Sequence, residues 1–188
     1  RRAGYDMIGL AAGGLIYITG TPDRPPVRPG LILGDYTTAV TNALGTLIAL
    51  YARHRLGQGQ WIDATLYESI FRLSEWTVAA YDRLGLVRER SGTRHPSLVP
   101  SGIYRARDGR WVVVDAPTDR LFARLSGALG KEGWPEEERY RTPAARAQNA
   151  ELLDEAIAGW VGERIAEKVM ESLETAGVPV SIVCDAQD

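Results

Sequence analysis

Residues 33–56 read LGDYTTAVTNALGTLIALYARHRL and contain the clearest helical pattern in the chain. From Thr37 to about Leu56, apolar residues recur with the spacing that places them on one face of a helix. The residues of this face are Val40, Ala43, Leu44, Leu47, Ile48 and Tyr51. Gly57 ends the pattern, as glycine commonly does after the last turn of a helix. The sequence therefore predicts a long, mostly buried helix with Asp35 at its start.

The segments on either side of this helix have shorter patterns. Residues 4–20 are apolar and predict a short helix and a turn. Residues 21–34 are rich in proline and glycine, which excludes a helix and predicts an ordered loop. Beyond the long helix, residues 61–66 predict a strand and residues 67–84 predict a second helix.

The second half of the chain has a different pattern, typical of a small α+β unit. Residues 102–107 and 110–114 flank Asp108-Gly109, a strong signal for a tight hairpin. The other predicted elements are a helix from Thr118 to Leu129 followed by Gly130, a helix opened by Thr142-Pro143, a helix that Gly177 ends, and a strand at residues 178–183.

The composition is that of an ordinary globular protein. Of 188 residues, 45% are hydrophobic and 24% are charged. Lys and Arg number 22 and Asp and Glu number 24, so the net charge is −2 and no basic face is indicated. No apolar stretch is long enough to cross a bilayer. We therefore expect neither nucleic acid nor a membrane as a partner.

The single cysteine, Cys184, bears on location and on packing. One cysteine cannot form an internal disulfide, which fits a reducing cytoplasm. Because it follows Ile182 and Val183, we expect it to be a small buried hydrophobe. The chain begins at Arg1 without an initiator methionine and stops abruptly at Asp188. This predicts a fragment of a longer protein.

Several catalytic motifs do not occur in the sequence. It has no phosphate-binding loop, no dinucleotide glycine fingerprint and no Gly-x-Ser-x-Gly elbow. No Cys/His cluster has metal-ligand spacing, so we expect no metal site. The only histidines are His54 and His95, which disfavours a Ser-His or Cys-His site. Any chemistry is therefore expected to depend on carboxylates.

The best candidate carboxylate is Asp35, which follows Gly34 at the start of the long helix. The first-turn amides and the helix dipole favour its ionised form, which is a usable nucleophile toward an activated acyl group. Gly34 permits the close approach of another backbone or of a ligand. The alternative is that Asp35 only caps the helix, a common use of aspartate at this position.

Four stretches of the sequence occur in an order that is known from one family. They are Gly4-Tyr5-Asp6-Met7-Ile8 with Gly13-Gly14-Leu15 and Thr19-Gly20; Pro25-Pro26-Val27-Arg28 leading to Gly34-Asp35; Gly57-Gln58-Gly59-Gln60-Trp61-Ile62-Asp63; and Arg94-His95-Pro96 with Pro100 and Ala176-Gly177-Val178-Pro179-Val180. In this order they resemble the class III CoA transferases, which include formyl-CoA transferase, carnitine CoA-transferase and alpha-methylacyl-CoA racemase. The resemblance covers essentially the whole chain.

The resemblance implies a reaction in which Asp35 is the nucleophile. Asp35 would attack a donor acyl-CoA and release the CoA thiolate, which returns to form an aspartyl-CoA thioester. An acceptor carboxylate then attacks this thioester, and CoA is passed on. The expected substrates are an acyl-CoA and a carboxylic acid, with no permanently bound cofactor, in a site that excludes water.

The resemblance also suggests Tyr5, Asp6, Gly34 and His95 as substrate- or CoA-binding residues. Asp6 matches an acidic position near the nucleophile, where formyl-CoA transferase has Glu; the alternative is an ordinary first-turn carboxylate. His95 belongs to a loop that matches a segment over the active site. Since the glycine-rich loop of formyl-CoA transferase is not present here, the alternative is that His95 is an ordinary loop residue.

Two other functions stay open at this point. One is an acyl-CoA racemase or isomerase of the same family. Racemases carry His at the position of Tyr5 and Glu near Thr118, and this sequence has neither, which favours CoA transfer. The other is a non-catalytic fragment or degenerate homologue with a role in assembly.

The implied fold is α/β, in the interlocked-dimer arrangement of class III CoA transferases. Residues 1–85 would belong to a large nucleotide-binding-like α/β domain that carries Asp35. Residues 86–100 would form a linker or active-site loop, and residues 101–188 a small α+β domain. The resemblance implies a homodimer whose chains interlock.

Overall fold

The computed structural model describes residues 3–188. This part of the chain divides into two compact units, the first ending at Gly92 and the second beginning at Thr93. The boundary lies in a stretch from Gly85 to Pro100 that contains no helix or strand. Whether the two units correspond to a large and a small domain stays a prediction.

The first unit is built from helices joined by extended segments. The helices are α1 (Asp6–Ala12), α2 (Leu15–Ile18), α3 (Leu33–Leu56), α4 (Leu66–Phe71) and α5 (Thr77–Leu84). Residues 3–92 contain no strand. The short helix and turn predicted at residues 4–20 are confirmed as α1, the turn at Gly13-Gly14 and α2.

Two glycines allow α1 to pack closely on α4. A Cβ atom on Gly9 would lie 2.5 Å from Leu66 Cβ, and one on Gly13 would lie 2.6 Å from Ile70 Cγ2. Leu10 is fully buried and Ile70 is 2% exposed, so these two helices supply the small core of this unit. Glycine at both contact positions is therefore required by the distance between the helices.

The long helix differs from its prediction at one end and on one face. It ends where expected, with Gly57 at φ 70° and its amide donating to the Arg53 carbonyl. It begins at Leu33, four residues before Thr37. The apolar face predicted to be buried is exposed: Val40 is 70%, Leu44 58%, Leu47 65%, Ile48 60% and Tyr51 65% accessible. Periodicity identifies a face that favours burial, but the described chain does not cover it.

Two other predictions for this unit are wrong. Residues 61–66 do not form a strand, since no segment of residues 3–188 pairs with them, and Trp61 is 88% exposed. The helix predicted at residues 67–84 is two helices, α4 and α5. The chain turns between them, where Glu75 adopts φ 54°, a left-handed conformation that interrupts a right-handed helix.

The second unit contains a three-stranded antiparallel sheet and four helices. Its elements are β1 (Ser101–Arg105), β2 (Trp111–Asp115), α6 (Asp119–Ala128), the 3₁₀ turn Trp134–Glu136, α7 (Pro143–Gln148), α8 (Ala150–Gly162), α9 (Ala166–Thr175) and β3 (Val180–Ile182). The strand order is β1-β2-β3, with Ile103 opposite Val113 and Val113 opposite Ser181. The hairpin is confirmed, and Gly109 adopts φ 87° within it.

The core of the second unit lies between one face of this sheet and α6, α8 and α9. Its fully buried residues include Val112 and Val114 from β2, Leu125 from α6, Ile157 from α8 and Val169 from α9. Alternate residues of β2 face this core, as the period of a half-buried strand requires.

Helix ends in the second unit follow local sequence signals closely. Thr118 accepts a hydrogen bond from the Leu121 amide, and Thr142 accepts one from Ala145, so the cap predicted at Thr142 is confirmed, and Thr118, predicted as the first residue of its helix, is the N-cap. Gly130 and Gly177 follow α6 and α9 with φ 69° and 68°. Cys184 is exposed, so its predicted burial is wrong, because β3 ends at Ile182 and the chain then leaves the sheet.

Candidate active site

Asp35 is the third residue of α3, and its side chain points away from the protein interior. The residue before the helix is Ile32, which provides no side-chain cap. The alternative that Asp35 is the N-cap is therefore wrong, because the helix starts two residues earlier. Within residues 3–188, the Asp35 carboxylate is exposed and makes no hydrogen bond or ion pair. It lies in the first turn, where the amides and helix dipole favour negative charge.

A buried carboxylate from another helix holds the start of α3. Asp6 Oδ1 accepts a hydrogen bond from the Gly34 amide at 2.8 Å, across 28 residues of sequence. The first amides of a helix have no partner within the helix, and Asp6 supplies one of the missing acceptors. The group fixed in this way is the peptide that joins Leu33 to Gly34, one residue before Asp35.

Gly34 lies so close to Asp6 that a side chain at this position would crowd the Asp6 carboxylate. A Cβ on Gly34 would lie 3.1 Å from Asp6 Oδ1, 3.4 Å from the Asp6 carbonyl oxygen and 3.5 Å from Leu10 Cδ2. The 3.1 Å separation from Asp6 Oδ1 is tighter than most Cβ contacts, whereas the other two are close to ordinary contact distances. The structure therefore assigns Gly34 a packing requirement toward Asp6, which the sequence had indicated only as room for another backbone or a ligand.

The second oxygen of Asp6 has an unusual environment. Oδ2 is buried and, among the described residues, accepts no hydrogen bond. The Arg28 guanidinium lies 4.0 Å from it, with the Asp6 side chain 7% and the Arg28 side chain 49% exposed. A buried carboxylate is costly unless a cation or donors compensate it. Here one backbone amide and one arginine do so.

The other two candidate residues, Tyr5 and His95, take no part in the hydrogen bond between Asp6 and Gly34. Tyr5 precedes α1 and is 87% exposed, with its carbonyl accepting from the Ile8 amide at 2.9 Å. His95 belongs to the second unit. Its Nδ1 accepts from the Ser97 and Leu98 amides at 3.2 and 3.0 Å, so this nitrogen stabilises a loop turn. The structure thus brings together Asp6 and Gly34, the residue immediately before Asp35.

Arg90 contributes to the loop before Asp35, although no sequence motif indicates this role. Its guanidinium donates to the Tyr17 carbonyl at 2.7 Å and to the Thr21 carbonyl at 3.2 Å. It also lies 5.4 Å from the centre of the Tyr17 ring, and the Gly92 amide donates to the Gly20 carbonyl at 2.9 Å. These contacts join residues about 70 positions apart and fix the beginning of the loop, which local patterns do not reveal.

An apolar cavity of about 230 Å³ lies in the first unit. Residues from α1, α2, α4 and α5 line it, including Leu15, Ile18, Ile70 and Phe71. Asp35 is not among its lining residues. The cavity therefore gives no direct information about the surroundings of the candidate nucleophile.

Among the described residues, neither a metal-binding cluster nor a membrane-spanning helix is present. Within residues 3–188, no three His, Cys, Asp or Glu side chains are grouped so that they could hold a metal ion. No helix in that range combines the length and apolar character needed to cross a bilayer.

Comparison with known proteins gives one consistent result. The sequence model described as CoA-transferase family III matches residues 1–188. Succinyl-CoA–D-citramalate CoA-transferase of Chloroflexus aurantiacus is 39% identical over 187 residues, which are 100% of this chain and 46% of that protein. The beta subunit of succinyl-CoA–L-malate CoA-transferase from the same organism is 36% identical, over 100% of this chain and 47% of its own length.

A solved structure gives the same result for the fold. The crystal structure of a CaiB/BaiF family protein from Brucella suis superposes with a TM-score of 0.81 and 28% identity, over 99% of this chain and 49% of that one. The chain spans about half the length of the curated relatives that it matches.

Proposed function

Because this chain belongs to CoA-transferase family III, we propose that the complete polypeptide containing it transfers CoA between two carboxylic acids, with Asp35 as the nucleophile. The observation that carries the proposal is that the Asp35 side chain is exposed and has no partner among the described residues. It is exposed in the first turn of a 24-residue helix and, within residues 3–188, is not engaged by any other group. A carboxylate used only for capping would accept hydrogen bonds from the helix amides.

The proposed reaction consists of four displacements. The Asp35 carboxylate attacks the thioester carbonyl of the donor, and the C–S bond breaks to give a mixed anhydride and CoA thiolate. The thiolate attacks the Asp35 carbonyl and releases the donor acid as a carboxylate, leaving an aspartyl-CoA thioester. The acceptor carboxylate attacks this thioester and releases the thiolate again. The thiolate then attacks the acceptor carbonyl, which regenerates Asp35.

The relatives suggest the substrate class. The two relatives compared above are named for succinyl-CoA as donor and for D-citramalate or L-malate as acceptor. Both acceptors are dicarboxylic acids that carry a hydroxyl group. We therefore propose succinyl-CoA as the donor and a hydroxylated dicarboxylic acid as the acceptor. Incubation with succinyl-CoA and a panel of acids, followed by mass spectrometry of the CoA esters, should show faster transfer to malate or citramalate than to acetate or butyrate.

The role of Asp35 is tested by trapping. Hydroxylamine added with the acyl-CoA should convert Asp35 to a hydroxamate that peptide mass spectrometry locates. Asp35→Ala should abolish both the label and CoA transfer. Asp82→Ala, which changes an aspartate of α5 whose side chain is 73% exposed, should preserve both. Full activity in Asp35→Ala without any label would overturn the proposal, as would exchange of the α-proton for deuterium without CoA transfer.

The proposal extends to assembly and location. We propose that two copies of the complete polypeptide form a homodimer in the cytoplasm. The exposed apolar face of α3 supports burial against further protein in the complete polypeptide, and we propose that a second copy contributes to it. Sedimentation of the complete polypeptide at several concentrations tests it, and a monomer at all concentrations would overturn it.

A further inference from the structure

We propose that Asp6 and Arg28 act together as positioning residues for Asp35, an inference that rests on the proposed nucleophilic role of Asp35. Neither residue would contact the reacting atoms. Their effect would be exerted through the Leu33–Gly34 peptide in the same helical turn as the nucleophile, whose amide donates to Asp6 Oδ1 at 2.8 Å.

The first argument concerns the start of α3. Ile32 offers no side-chain acceptor, so the free amides of the first turn depend on groups from elsewhere in the fold. Asp6 is the first residue of α1 and is 5% exposed. A carboxylate fixed in the packed part of α1 therefore determines where the first turn of α3 lies. Since Asp35 is part of that turn, fixing the turn also fixes the position of Asp35.

The second argument concerns the charge on Asp6. Its buried Oδ2 has no hydrogen-bond donor among residues 3–188, and the Arg28 guanidinium lies 4.0 Å away. Without this cation, one oxygen of a buried carboxylate would have nothing to balance its desolvation. Arg28 lies in the loop that leads into α3, so the ion pair also connects this loop to α1. The two residues thus hold both the helix start and the chain that precedes it.

The expected consequence is a loss of turnover rather than of substrate binding. A displacement of about 1 Å in a reacting group costs about 100-fold in rate. Asp6→Ala, which removes the acceptor, should lower kcat by about 100-fold while the KM for succinyl-CoA changes little. Asp6→Asn retains an acceptor for the Gly34 amide and should recover most of this loss. Arg28→Gln should reduce kcat, and the Asp6→Ala/Arg28→Gln double variant should be little worse than Asp6→Ala, because the pair acts as a unit.

A second measurement does not depend on activity. Hydrogen–deuterium exchange of the peptide covering residues 33–38, followed by mass spectrometry in the complete polypeptide, should be faster in Asp6→Ala and close to the original rate in Asp6→Asn. Matched controls come from Asp23 and Arg24, an exposed ion pair in the same loop with side chains 76% and 79% accessible. Asp23→Asn and Arg24→Gln should change neither kcat nor the exchange rate.

The outcomes separate this inference from the proposed function. Unchanged exchange and unchanged kcat in Asp6→Ala would overturn the positioning role, as would faster exchange with unchanged kcat. If Asp6→Ala does not fold, Arg28→Gln decides, because Arg28 is half exposed and its replacement is compatible with folding; wild-type kcat in that variant would overturn the pairing. Full activity in Asp35→Ala would instead remove the proposed nucleophile, whatever the exchange of residues 33–38 shows.

Discussion

Arg146 and Asp119 form an ion pair of 2.8 Å in which the arginine side chain is 1% exposed and the aspartate side chain is 72% exposed. The same guanidinium donates to three backbone carbonyls, those of Val99 at 3.2 Å, Tyr140 at 3.1 Å and Pro117 at 3.1 Å. A buried charge with this many partners is well compensated. Arg146 of α7 therefore fixes three loops of the second unit.

Arg146→Lys should destabilise the second unit although it preserves the charge. A lysine ammonium cannot reproduce the planar fork that serves several acceptors, so carbonyls would be left unpaired. We expect a loss of about 3 kcal/mol in the free energy of unfolding, measured in urea. Arg141→Lys is the control, since that side chain is 60% exposed, and should change the value by less than about 0.5 kcal/mol. Equal effects of the two substitutions would contradict the prediction.

A second prediction concerns the pH dependence that Asp154 gives to the same unit. Tyr104 donates to Asp154 Oδ1 at 2.7 Å, and Arg94 Nε lies 2.8 Å from Oδ2. Burial raises the pKa of Asp154 above its ordinary value of 3.8, against the lowering effects of Tyr104 and Arg94. The folded state therefore holds this proton more tightly than the unfolded chain does. Its stabilising contribution is complete below about pH 3.8 and is lost as pH rises through the folded pKa.

Asp154→Asn isolates this effect, because the amide does not titrate. As pH rises from 3.8 through the folded pKa, the free energy of unfolding of the original chain should fall relative to that of Asp154→Asn. Tyr104→Phe should raise the pKa of Asp154 further, since the hydroxyl stabilises the carboxylate. Carboxyl carbon NMR measures this pKa directly. A difference that does not vary with pH would contradict the prediction.

Local signals explain which parts of the fold could be predicted from the sequence. The hairpin at Gly109, the cap at Thr142 and the end of α3 at Gly57 each depend on a few neighbouring residues, and each is confirmed. The family resemblance is confirmed as well, and with it the α/β class III CoA-transferase fold.

Long-range contacts explain most of the features that the sequence did not predict. The helix α3 begins at Leu33, where the Gly34 amide donates to a carboxylate 28 residues away, whereas local pattern placed the start at Thr37. Arg90 and Arg146 act through contacts to distant backbone, and neither side chain has a local motif. The roles of Asp35 and the other candidate residues stay predictions, because they depend on bound substrate.

A third prediction compares two glycines of the same helix. In Gly34→Ala, the new Cβ would lie 3.1 Å from Asp6 Oδ1, whereas in Gly45→Ala its nearest neighbour, Ile62 Cγ2, would be at 3.6 Å. Gly34→Ala should therefore cost about 1–2 kcal/mol through overpacking. Gly45→Ala should add up to about 1 kcal/mol of stability, because alanine favours helix. Thermal unfolding distinguishes the two, and stabilisation by both would contradict the packing requirement at Gly34.

The last prediction concerns the apolar face of α3, where Leu44 and Ile48 are 58% and 60% exposed on successive turns. The 188-residue chain produced on its own should bind the dye ANS on this face, because contiguous exposed apolar side chains are its usual site. Leu44→Gln combined with Ile48→Gln should reduce the dye fluorescence and change the unfolding free energy by less than about 0.5 kcal/mol, since neither side chain is buried. Leu152→Gln is the control, because Leu152 lies outside α3 and is 46% exposed. Dye fluorescence that falls equally in both variants would show that this face is not the site.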